Sequence, residues 1–271
     1  MARKAVKAKK KAASKKSPNR KPMAKKPASR KPAAPARKSS GAKGAGTAPK
    51  NSRGTSRQRQ ARAAAKPTLY GAAPSGPTYK VALMFSLLGE PFAFRHTDLR
   101  SGAHKMPEFL AINRYGQVPA LTDGELSLCQ SGSILLHLAA KHKKFGGKDA
   151  QQQARAREWL FWDADRLSPG IFRTRAAIRG FINLAPETTL YFRDHADNGL
   201  RVLEAQLGKS KFVAGVEPTI GDIACYGVLA FAREGAFDLA LYPNISAWMQ
   251  RMESLPGFKP PYELLPLHDI A

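Results

Sequence analysis

Acidic and aromatic residues are both missing from the first quarter of the chain. Residues 1–66 hold 23 Lys and Arg but no Asp, Glu, Phe, Tyr or Trp, and Val6 and Met23 are their only apolar side chains larger than Ala and Pro. Nothing there can offset the entropy of ordering a backbone, so the composition predicts a disordered basic tail. The formal charge of the whole chain is +25, of which the tail supplies +23; the rest, with 22 basic and 20 acidic residues, carries +2. The basic isoelectric point therefore describes the tail and does not argue for a basic face on the folded part.

Cysteine is scarce too. Cys129 and Cys225 are the only two, in no metal-ligand or Cys-x-x-Cys spacing, which excludes a disulfide framework and a zinc site and fits a reducing cytoplasm. No apolar run approaches the ~18 residues that span a bilayer, and the apolar stretch of a secretory signal is absent, so no membrane partner is expected.

From Pro67 onward the pattern is that of a folded protein. Thr68-Leu69-Tyr70 reads as a strand, and the Gly/Ala/Pro-rich 71–77 as a loop. Val81, Met84, Phe85 and Leu88 then recur on one helical face that Gly89 closes. Phe92–Thr97 reads as a strand and Met106–Ile112 as a helix. Val118–Thr122 and Leu126–Cys129 are strands about an Asp123-Gly124 turn, and Ser131–His142 is a helix. The order βαβ, helix, ββα predicts a four-stranded mixed sheet with helices on both faces. After Gly147 no strand signal returns: 150–167, 187–207, 219–234 and 243–254 all read as helices, with Thr219 and Asp222 as a short capping box. Three regions follow: a tail over 1–66, an α/β domain over 67–144 and an all-helical domain over 150–271.

Four motifs stand in a fixed order: Leu69-Tyr70-Gly71 through Ser75-Gly76-Pro77 to Val81; Pro107-Glu108-Phe109 to Asn113; Gly116-Gln117-Val118-Pro119-Ala120-Leu121; and Gln130-Ser131 to Ile134-Leu135. Together they resemble the glutathione-binding, thioredoxin-like domain of cytosolic glutathione transferases of the bacterial soluble type. Phe212-Val213-Ala214-Gly215 and Pro218 through Ala224 are similar to the capping-box segment of that family's helical domain. The tail resembles, in composition only, the Lys/Ala/Pro-rich tails of linker histones and histone-like bacterial proteins.

The resemblance implies a thiol-activating hydroxyl at Ser75, in the loop ahead of a helix N-terminus; read locally, Ser75 and Pro77 equally make a plain helix start. Tyr70 is the other hydroxyl nearby. Many relatives have Asn where Pro77 stands, which implies one polar contact fewer. The resemblance further implies a cis bond at Val118-Pro119, with the Val118 backbone pairing to the tripeptide's cysteine. The γ-glutamyl end then falls to Gln130 and Ser131, and the glycine end to Gln117 and His104. Arg155, Arg157, Trp159, Trp162, Arg173 and Arg175 fall on the first long helix of the second domain, near where relatives form an acceptor pocket.

Glutathione is thus expected as co-substrate, without a metal. Its thiolate would attack a small electrophile or reduce a peroxide or disulfide, in a homodimer. The alternative is a non-catalytic docking protein of the same fold. For the tail, three readings stay open: non-specific nucleic-acid binding, which would associate the protein with the nucleoid, an organelle-targeting segment, or a solubilising extension.

Overall fold

The computed structural model describes residues 66–270; apart from Lys66, the basic tail lies outside them. The first half runs β1 (Thr68–Gly71), α1 (Gly76–Leu88), β2 (Ala93–His96), α2 (Pro107–Ile112), β3 (Ala120–Asp123), β4 (Leu126–Cys129) and α3 (Ser131–His142). The strands lie in the order β2-β1-β3-β4, with β1 and β2 parallel and the other two pairs antiparallel. This is the four-stranded mixed sheet that the element order predicts, in the thioredoxin-like form that the family resemblance implies. β3 begins two residues later than the sequence suggests, because Pro119 has no N–H to give a ladder.

Helix α1 departs from a one-faced amphipathic helix. Val81, Met84 and Phe85 are buried as the periodicity predicts, but so are Ala82, Leu83 and Leu87. A helix that is apolar all round has neighbours on more than one side. Here α1 packs on α3 and on α7 (Ile220–Leu229) of the second half. The approach to α7 is close: a Cβ on Gly227 would overlap the Lys80 side chain.

The second half consists of α4 (Ala150–Trp162), α5 (Ser168–Ile178), α6 (Pro186–Leu207), α7, α8 (Pro243–Glu253) and the short α9 (Pro261–Leu264). The sequence ends its first helix at 167, whereas the chain continues to Ile178. Asp163–Leu167 form a π turn whose flanking residues keep right-handed helical dihedrals, so α4 and α5 make one helical path. Pro169, which argues for a stop, sits in the first turn after this local widening, where its missing N–H is tolerated. The expected helix 219–234 divides into α7 and a 3₁₀ turn, Ala232–Gly235.

Beyond α8 the chain returns to the first half. The Tyr79 hydroxyl donates to the Lys259 carbonyl at 2.9 Å, and Ser86 donates to the Gly257 carbonyl. Ile270 exchanges two backbone hydrogen bonds with Phe94 on the edge strand β2, at 2.8 and 2.9 Å. The Asp269 carboxylate accepts the His96 N–H at 2.7 Å.

The core of the second half is organised by one buried carboxylate. Asp222 accepts from the N–H of Thr219 and of Val213, both at 2.8 Å, and from the Thr219 hydroxyl and the Trp248 indole, both at 3.0 Å. It thereby closes the capping box of α7 and ties it to the 212–215 turn and to α8. Burial pushes its pKa up to about 6 although all four donors pull the other way. Removing the acceptor leaves four buried donors unpaired, so Asp222→Ala is expected to cost about 3–5 kcal/mol in denaturant unfolding. Because the folded pKa is raised, the contribution of Asp222 is complete below the unfolded pKa and declines as pH rises through about 6. The wild type should therefore lose stability between pH 4 and 6.5 relative to Asp222→Asn, a difference that paired unfolding curves across that range will measure.

Candidate active site

The site begins at the loop between β1 and α1. The Ser75 N–H donates to the Ala72 carbonyl at 3.0 Å, and the Ser75 hydroxyl oxygen accepts the Thr78 N–H at 3.2 Å, capping α1. The capping bond occupies a lone pair and leaves the hydroxyl proton without an acceptor among the described residues. Ser75 is half-buried, so that proton can face a ligand. Pro77 has no N–H and the Thr78 N–H is taken, which leaves Gly76 as the remaining amide of the first turn.

A second wall comes from the Gly116–Ala120 segment. The Val118-Pro119 bond is cis. Asn113, almost fully buried at the end of α2, holds this segment: its amide donates to the Gln117 carbonyl, and its oxygen accepts the Tyr115 N–H at 3.0 Å. In the sequence Asn113 stands only as the last residue of the Pro107-Glu108-Phe109 motif, and its trace there is a polar residue closing a short helix just before Gly-Gln-Val-Pro.

Helix α3 supplies the third wall. Gln130 precedes its first residue with φ 71° and ψ 119°, and its side chain makes no capping bond. A non-glycine residue at positive φ costs roughly 1–3 kcal/mol, a strain that collects at functional sites. Ser131 then opens the helix, where free amides favour an anion.

These walls enclose a cleft of about 200 Å³. Gln117, Val118, Pro119, Gln130 and Ser131 all line it, opposite Leu160 and Phe172 from the helical half. Ser75 and His104 are not in its lining; Ser75 lies two residues ahead of Pro77, which is. His104 sits in the 3₁₀ turn Ala103–Lys105, where its Nδ1 is buried without a partner among the described residues. Tyr70, in mid-strand, is also absent from the lining. A larger cleft of about 610 Å³, bordered by Lys143, Lys148 and Arg157, contains none of the nominated glutathione-site residues.

Between the two halves the cleft wall holds an unexpected cluster. Lys80 of α1, 3% exposed, contacts the buried Asp163 carboxylate at the π turn and donates to the Ser168 hydroxyl at 2.9 Å. Ser168 in turn donates to Asp163 at 3.0 Å. Of the acceptor-pocket candidates, Arg155, Arg157 and Arg173 are exposed. Trp159 and Trp162 pack edge to face at 4.8 Å against the core, and Arg175 is buried.

Neither cysteine competes as a nucleophile. Burial raises the Cys129 thiol pKa, and burial together with the Asp163 and Asp222 carboxylates raises that of Cys225 well above its ordinary value. Among the described residues no cluster of three or more His, Cys, Asp or Glu side chains could hold a metal, and no helix is long and apolar enough to cross a membrane.

Models of the glutathione S-transferase N-terminal and C-terminal domains match residues 65–140 and 151–251. Over 197 residues the chain is 32% identical to the disulfide-bond oxidoreductase YfcG of Escherichia coli (strain K12), covering 68% of this chain and 89% of that protein. The chain belongs to the glutathione S-transferase family. It is also 32% identical to glutathione S-transferase 3 of Zea mays, over 73% of this chain and 94% of the relative. A crystal structure of glutathione S-transferase from Pseudomonas fluorescens superposes with a TM-score of 0.69 at 33% identity, over 73% of this chain and 100% of that one.

The glutathione transferase halves meet across the Lys80–Asp163 pair, whose two charges are buried together. Lys80→Met strands a buried carboxylate and is expected to cost about 3–5 kcal/mol, whereas Lys80→Met with Asp163→Leu should recover most of that loss. Thermal unfolding of the single and double variants makes the comparison.

Proposed function

We propose that this chain is a glutathione transferase in which Ser75 activates the thiol of glutathione bound in the 200 Å³ cleft. The observation that carries this reading is the Ser75 hydroxyl, whose oxygen is fixed by the Thr78 N–H while its proton stays free to donate. A thiol of pKa ~8.5 is only a few per cent ionised near neutrality, and lowering it by two units takes ~2.7 kcal/mol. A hydrogen bond to the anion at ~1.5–3 kcal/mol and a helix N-terminus at ~0.3–1 can supply most of this.

In this reading the tripeptide pairs with the Val118 backbone beside Pro119. Its γ-glutamyl carboxylate meets Ser131 and the first amides of α3, while Gln130 offers an oxygen to the ammonium. Gln117 and His104 take the glycine end. The thiol proton leaves to solvent, and the sulfur forms a bond to an electrophilic carbon as the leaving group departs with the bonding electrons. The relative named as a disulfide-bond oxidoreductase favours testing disulfides as well, where the thiolate displaces one sulfur of the bond.

The division into 67–144 and 150–271 belongs to the same proposal, as does a homodimer. Exposed Met106, Leu110, Tyr115, Leu126 and Phe161 offer apolar surface for a second copy. Ser75→Ala should leave glutathione affinity largely intact and lower turnover about tenfold or more, ~1.4 kcal/mol of transition-state stabilisation. Ser131→Ala should raise KM for glutathione more than it lowers kcat, since that contact is remote from the sulfur. Steady-state kinetics on an aryl halide and a small disulfide checks both, and unchanged turnover in Ser75→Ala would remove Ser75 from the mechanism.

The tail is proposed to bind nucleic acid through its 23 positive charges without reading bases. If ~10 phosphates are engaged, log affinity should fall against log salt with a slope near −9 on duplex DNA. Equal binding by full-length protein and a chain beginning at residue 67, or binding by neither, would sink this part.

A further inference from the structure

We propose that Arg175 is a positioning residue for Ser75, acting through the carbonyl of Pro74; this rests on the thiol-activating reading of Ser75. Arg175 lies on α5 in the helical half and is 5% exposed. Its Nη1 donates to the Pro74 carbonyl at 2.7 Å, the carbonyl of the peptide that enters Ser75. Nε and Nη2 donate to the Glu234 carboxylate at 3.1 and 2.8 Å, and the guanidinium stands 4.4 Å from the centre of the Phe231 ring. Glu234 is itself held by the Tyr262 hydroxyl at 2.7 Å and by Arg179 at 3.4 Å. One edge of a rigid planar fork is thus anchored, and its other corner is aimed at a single backbone oxygen.

The geometry gives that oxygen a specific consequence. Rotating the peptide between Pro74 and Ser75 would swing both the Ser75 N–H and its side chain. Two bonds oppose this from within the first half, from Ser75 to Ala72 and from Thr78 to Ser75. Among the described residues, Arg175 is the one side chain of the helical half that bonds the 72–75 loop. A buried guanidinium given to a neutral carbonyl, rather than to a second carboxylate, orients the loop and also puts positive charge beside it. Docking of the halves does not depend on this contact, because Lys80, Asp163 and Ser168 join them separately. Loss of the Arg175 side chain also leaves Glu234 with Tyr262 and Arg179 as partners.

The test is a double-mutant cycle in the full-length protein, with Arg175→Met, Ser75→Ala and the pair. Its readouts are kcat and KM for glutathione with a chromogenic aryl halide, the pH profile of kcat, thiolate absorbance of bound glutathione and the melting temperature. Arg175→Met is expected to lower kcat about tenfold and move the acid limb of the profile up by about one pH unit, with KM changed less than about threefold. Added to Ser75→Ala, it should change kcat by less than about twofold, because residues acting as one unit are not additive. Arg175→Lys, which can reach one partner but not both, should fall between wild type and Arg175→Met. Should Arg175→Met fail to fold, the same cycle with Glu234→Gln, which loosens the anchor and keeps the arginine, decides by the same non-additivity. Additive losses, or a lower melting temperature with an unmoved pH profile, would overturn the proposal and leave Arg175 a structural contact. A full effect of Ser75→Ala with none of Arg175→Met overturns this inference alone; no effect of Ser75→Ala overturns the function reading and this inference with it.

Discussion

The relation between the two halves depends on a charge pair that neither half could bury alone. An ammonium and a carboxylate lose several kcal/mol of hydration each on burial, and recover it only at short range with their remaining valences filled. Lys80, Asp163 and the Ser168 hydroxyl meet that condition as a closed triangle. The condition is demanding about geometry, so α1 has one acceptable seat against the π turn, and Gly227 clears the space for it. The two walls of the cleft then follow, because Pro119, Gln130 and Ser131 belong to one side of that seat and Leu160 and Phe172 to the other.

Ser75 illustrates how two readings of a sequence can be one geometry. Capping uses a lone pair of the hydroxyl, and donation to a ligand uses its proton, so the first role fixes the oxygen for the second. Pro77 fits this arrangement. It restricts the first turn to a helical φ and removes an amide that would otherwise compete for the same ligand atom.

Local pattern carried most of the fold into view. The strands themselves, the capping box at Thr219 and Asp222 and the closing Gly89 each rest on residues within a few positions of one another, whereas the cis bond at Val118-Pro119 came from the family resemblance. What stayed hidden depends on distant partners. Nothing local marks Lys80 as buried, since its partner Asp163 lies 83 positions away. Arg175 and Pro74 are 101 positions apart. The positive φ of Gln130 leaves no compositional trace, because the residue is not glycine. The continuation of α4 into α5 was masked by Pro169, a residue that ordinarily stops a helix and here is admitted by one wide turn.

The return of the C-terminal segment to β2 has a consequence for how the chain is made. The first half leaves the ribosome with one flank of α1 uncovered, Lys80 unpaired and the outer edge of β2 open. The residue that covers that edge is synthesised much later: Ile270 pairs with Phe94 across 176 positions. A half that lacks its covering surfaces exposes strand edge and apolar area, the features that make nascent chains stick to one another. For this protein, completion of the first half waits on emergence of the segment around Ile270, so the edge of its sheet is covered by residues made after the helical half.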